Sequence, residues 1–132
     1  MGEIWREMGV IHWPLLVSAL AVAGLTLWSI VRLFRPGAAP DLRTKAWIDA
    51  ILFWGGFALV AGVLGTLVGV IIAAQSIEMA GDIEPTLIWG GIRVAMSSAA
   101  AGSLILCLAA LLWFFLQLRW RLLLAEVSEG RA

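Results

Sequence analysis

Between residues 50 and 118 the chain carries only four charged residues, Glu78, Asp82, Glu84 and Arg93, and all of them lie around one short turn. The apolar arms on either side have no recurring polar face to offer water, as the helices of a soluble hairpin would. Such a segment folds stably only where its flanks meet lipid or other apolar helices. Composition agrees: 62% of the 132 residues are hydrophobic, 14% are charged, and mean hydropathy is +0.99, too apolar for a soluble domain of this size. The expected class is an all-α integral membrane protein forming a single membrane domain over residues 1–132.

Three apolar stretches, at about 10–34, 46–77 and 86–118, each exceed the ~20 residues that a helix needs to cross the hydrocarbon core. Three transmembrane helices are predicted, the second and third forming a long hairpin. At ~1.5 Å per residue those two are roughly 45 to 50 Å long, so each projects beyond the bilayer at one end or tilts strongly. The first stretch has the look of a signal peptide. However, Glu3 and Glu7 stand beside Arg6 ahead of it and it is longer than a usual h-region, so a retained anchor is expected.

Orientation follows from the flanks. Arg32, Arg35, Arg43 and Lys45 follow the first stretch and Arg119, Arg121 and Arg131 follow the third, whereas the other two flanks hold only Arg6 and Arg93. Positive residues collect on the cytoplasmic side, so the N-terminus is expected outside and the C-terminus in the cytoplasm. Trp13 and Trp89 then fall near the outer boundary and Trp47 and Trp120 near the inner one, while Trp28, Trp54 and Trp113 lie deeper and suit packing.

The second helix places Ala58, Gly62, Thr66 and Val70 on one stripe and Gly65, Gly69 and Ala73 on its neighbour, a small-xxx-small spacing that lets backbones approach closely. The third helix answers with the run from Ser97 to Ser103, which includes Gly102 and has little side-chain volume. Thr66 and Ser98 are each 16 residues from Asp82 in the turn, so a straight hairpin brings both hydroxyls to one level near mid-membrane. Two uses are open to them. Each hydroxyl can bond a carbonyl of its own helix, or together they can form a polar belt facing a lumen.

Other chemistry is sparse. Asp49, Glu78 and Arg93 lie toward helix ends, where a helix-dipole partner, a solvated loop edge and a snorkelling or paired cation (with Glu84 or Asp82) are sufficient roles. His12 suits the interface beside Trp13 and Pro14. Cys107, the lone cysteine, suits a small core or lipid-facing position. There is no nucleophile motif, phosphate loop or metal-ligand spacing, so neither an enzyme, a cofactor, a metal nor a nucleic-acid partner is expected.

The segments VLGTLVGVI and GGIRVAMSSAAAG, joined by a turn, resemble the second and third helices of the MotA/TolQ/ExbB proton-channel family, and HWPLLVS at residues 12–18 is similar to the opening of its first helix. The resemblance implies that Thr66 corresponds to a pore-lining threonine and Ser98 to the first of a threonine pair whose second position is Ala99 here. Ser97 adjoins them. It also implies a homo-oligomer, a pentamer in the family, enclosing a MotB/TolR/ExbD-like single-span partner that bears an aspartate. Departures are the missing hydroxyl at Ala99, Cys107 and Val94 where members carry other residues, and a short link in place of the usual cytoplasmic insertion. These mark a minimal member.

Intramembrane titratable groups mark function because they are costly there, and no such group lies mid-span. The expected function is a proton-channel or stator-like subunit whose partner supplies the carboxylate and which couples proton motive force to work or transport. The alternative is a non-conducting scaffold or assembly protein that kept the helix packing. A small-molecule transporter fits less well, since neither broken helices nor midplane charge is present.

Overall fold

The structure, a computed structural model, describes residues 12–35, 37, 40–81 and 85–130. Three α-helices follow one another: α1 at His12–Leu33, α2 at Leu42–Ala80 and α3 at Pro85–Glu129. They have 22, 39 and 45 residues, about 33, 58 and 67 Å at ~1.5 Å per residue. All three are long and apolar enough to cross a membrane, and among the described residues there is no strand.

Local chemistry sets the helix ends. Asp41 is extended (φ −102°, ψ 141°) and its carboxylate accepts the Arg43 backbone N–H at 3.4 Å, so α2 starts at Leu42, ahead of the apolar stretch. At the other end Gly81 takes φ +68°, a conformation that side chains resist, and its N–H donates to the Ile77 carbonyl at 3.3 Å. Proline opens α3, where its missing N–H costs no helical bond. The same helix runs on through Arg119 and Arg121 to Glu129, well past its apolar portion.

Helices α2 and α3 pack closely as an antiparallel hairpin. Buried positions on α2 are Thr44, Ile48, Ile51, Gly55, Ala58, Gly62 and Gly65, and those facing them on α3 include Ala95, Ser98, Gly102, Ala109 and Leu116. With half-buried Ile105 and Leu112 filling the gaps on α3, both sets advance by alternating steps of three and four residues. That is the 3.5-residue period of helices that coil left-handed about each other. The seam is graded in volume: Gly and Ala toward the turn, Ile and Leu toward the basic end.

Against the bulky half of this seam α1 lays a stripe of its own, with Leu15, Ser18, Val22, Thr26, Ser29 and Leu33 buried. Val22 and Leu33 join Ile48, Ile51, Ala109 and Leu116 in one core, with Trp54, Trp113 and Trp120 packed against it. Trp28, by contrast, is exposed. Exposed Phe53, Leu67, Leu104 and Phe115 cover the outside of the hairpin, an apolar surface suited to lipid or to neighbouring helices.

Candidate functional site

Thr66 and Ser98 meet across the α2–α3 seam, their hydroxyl oxygens 3.4 Å apart. The close approach has a specific cause. A Cβ built on Gly62 would stand 2.5 Å from the Ser98 carbonyl oxygen and 3.2 Å from Gly102 Cα, and one on Gly102 would collide with the Ala58 carbonyl oxygen. Glycine at both positions therefore lets the two backbones touch one turn from Thr66, and the short Ser98 side chain fills what remains. Next along the seam, a Cβ on Gly69 would lie 2.8 Å from Ala95 Cβ.

Each hydroxyl reaches the facing helix. Thr66 Oγ1 donates to the Ala95 carbonyl at 2.8 Å, with its own-helix Gly62 carbonyl at 3.1 Å. Ser98 Oγ donates to the Gly62 carbonyl at 2.8 Å, with its own-helix Ala95 carbonyl at 3.3 Å. Since a hydroxyl has one proton, assigning each to its nearest acceptor gives a reciprocal crossed pair, α2 to α3 and α3 to α2. Ser98 is buried, whereas Thr66 is half-buried at the edge of the seam. The Thr66 oxygen keeps lone pairs for a further donor, and that is what its chemistry offers: a neutral, orientable relay point that holds no charge itself.

The other residues singled out in the sequence fall around this pair. Half-buried Ser97 donates to its own-helix Val94 carbonyl at 2.6 Å, and Ser103 likewise to Ala99 at 2.8 Å. Ala99 is half-buried beside Gly62, its Cα 3.3 Å from where a Cβ on that glycine would stand, and Gly65 is buried. Along α2 the pair lies 17 residues from Asp49 and 12 from Glu78, about 25 and 18 Å, so it sits nearer the turn end. Arg93 and Glu78 are exposed, and Cys107 is an exposed free thiol. Asp82 and Glu84, offered as Arg93 partners, and the side chain of His12 lie outside the described residues.

Three contacts at the basic end were not foreseen. Trp113 Nε1 donates to Asp49 Oδ1 at 3.1 Å, Lys45 Nζ lies 5.6 Å from the centre of the Trp120 ring, and the Arg119 guanidinium lies 5.5 Å from that of Phe34. Equal counting from Asp82 pairs 49 with 115 and 45 with 119, within two residues of the partners observed, so the register was legible to about half a turn once the turn was placed. Which faces carry these side chains was not. The buried hydroxyls of α1, Ser18, Thr26 and Ser29, also escaped notice, because single polar residues in an apolar span give no periodic signal.

A model of the MotA/TolQ/ExbB proton channel family matches residues 39–129, which takes in all of α2 and α3 and the crossed hydroxyl pair between them. The chain belongs to this family. Neither the curated proteins nor the solved structures searched gave a match. As a MotA/TolQ/ExbB-type chain with three apolar helices, it is a multi-pass membrane protein of a channel and transport family. α1, with its HWPLLVS opening, lies outside the matched span, so its likeness to the family rests on those residues alone.

Proposed function

We propose that this chain is the channel subunit of a proton-driven complex in a bacterial inner membrane, several copies of which surround a single-span partner. The basic end faces the cytoplasm and the turn faces outward. In this reading Thr66 stands at the edge of the α2–α3 seam next to the lumen, Ser98 holds it from behind, and Ser97 and Ala99 border the same region. The observation that carries the reading is the crossed hydroxyl pair within the family-matched hairpin, since it puts an orientable oxygen with free lone pairs in a largely apolar span. Gly62, Gly65, Gly69 and Gly102 act one level below, by letting the two helices come close enough to form the pair.

Protons need a titratable site, and the mid-portions of α2 and α3 supply none. The carboxylate therefore comes from the partner, which is an aspartate-bearing helix in this proposal, and the ring of five is the family expectation. The chain itself performs no catalysis; it lines, excludes and positions. Proton flux in cells supplying the partner tests this. The double variant Thr66→Val with Ser98→Ala is expected to abolish coupled flux while the oligomer persists; flux unchanged from wild type would remove both hydroxyls from the path and leave the scaffold reading, which the missing hydroxyl at Ala99 favours.

A further inference from the structure

The folding of the hairpin gathers at one end cations that are far apart in the sequence. Arg32 and Arg35 close α1, Arg43 and Lys45 open α2, and Arg119 and Arg121 arrive from α3. Contacts between elements tie them into one patch: Lys45 with Trp120 joins α2 to α3, and Arg119 with Phe34 joins α3 to the segment after α1. Of the carboxylates at this end, Asp41 caps α2 and Asp49 accepts from the Trp113 indole, while Glu126 and Glu129 lie five and eight residues beyond Arg121 on α3. Arg119 Nε and Trp120 Nε1 of α3 are buried and have no acceptor among the described residues. Six cations against these four carboxylates leave this end net positive, with Arg32, Arg35, Arg43 and Arg121 exposed.

The surroundings of the patch narrow the occupant. Leu42, Trp47, Leu118 and Leu122 lie within about a turn of these cations and are exposed. A ligand that satisfies both features has a phosphate for the guanidinium groups and an apolar tail for the surface beside them. We propose that the basic end of the three-helix assembly is a binding site for an anionic phospholipid, its headgroup held jointly by Arg119 and Arg121 of α3 and the cations of the α1–α2 link. The site follows from membrane embedding and does not depend on proton conduction.

The test uses the full chain in bilayers of phosphatidylglycerol and phosphatidylcholine mixed equally, extracted gently and weighed by native mass spectrometry to count retained lipids. Wild type is expected to retain phosphatidylglycerol in clear excess over phosphatidylcholine. Removing a cation should lower that excess about five-fold, so Arg119→Gln with Arg121→Gln loses about 25-fold. Arg32→Gln with Arg43→Gln, at exposed positions, loses a similar amount and carries the test should the α3 variant not fold. Arg93→Gln, at the far end, leaves the ratio unchanged. Retention in the bulk ratio by wild type, or an equal loss in the Arg93 variant, would overturn the site. Displacement of the lipid by millimolar inorganic phosphate would overturn the lipid assignment in favour of a simple anion site.

Discussion

At the scale of single residues, Gly62 and Gly56 lie on the same helix, yet only the first has no room for a methyl group. A Cβ on Gly62 meets backbone of α3, and backbone cannot step aside; a Cβ on Gly56 meets nothing within 4 Å. Gly62→Ala should therefore destabilise by about 1 to 3 kcal/mol through overpacking, while Gly56→Ala should stabilise by up to ~1 kcal/mol through helix propensity. Detergent unfolding titrations of the two variants read opposite signs if the close approach is real. The crossed bonds themselves are modest in energy. Thr66→Val removes one inter-helix bond worth about 0.6 kcal/mol, at most ~1.7, in a membrane setting, so a loss of function larger than that reflects the role of the hydroxyl and not the fold. Ser29 presents the reverse case, a hydroxyl buried on α1 with no partner among the described residues. Ser29→Ala is expected to be neutral or to stabilise by about 1 kcal/mol in the same titration, since an unsatisfied buried polar group is a cost that the variant removes.

At the scale of helices, the decisive property is the seam of α2 and α3. Ala73 and Gly91 test its register, because a Cβ built on Gly91 would stand 3.6 Å from Ala73 Cβ, a separation that a disulfide spans. Ala73→Cys with Gly91→Cys, in a Cys107→Ser background, should cross-link within one chain on mild oxidation and shift its gel mobility; a chain that stays reduced would mean the register is otherwise. Much of this element was legible in advance. Uninterrupted apolar length marks the spans, Gly81 and the acidic cluster mark the turn, and equal spacing from Asp82 puts Thr66 level with Ser98. The contact face was less so. Stripes drawn at intervals of four put Val70 in line with Ala58, Gly62 and Thr66, but the seam steps by three and four, crosses from one stripe to the other, and leaves Val70 exposed. With apolar residues on every side of α2, only its small residues, Gly62, Gly65 and Gly69 among them, mark the packing face in the sequence. The continuation of α3 to Glu129 was hidden for a related reason, since hydropathy ends at the bilayer and helical backbone does not.

At the scale of the molecule, the graded seam divides one short chain into two parts. Its bulky half, with α1, forms the core at the basic end, and its small-residue half brings two backbones together around a pair of hydroxyls near the turn. In the proposed function the exposed apolar sides of the hairpin meet neighbouring copies, and a second kind of chain supplies the carboxylate that the middle of α2 and α3 lacks. The central claim is therefore one of assembly. Native mass spectrometry of the complex drawn gently from its own membrane, with each co-purifying chain sequenced, tests it most directly. The account predicts several copies of this subunit holding one or two copies of a single-span, aspartate-bearing chain; a monomer, or a ring with no such chain, would contradict it.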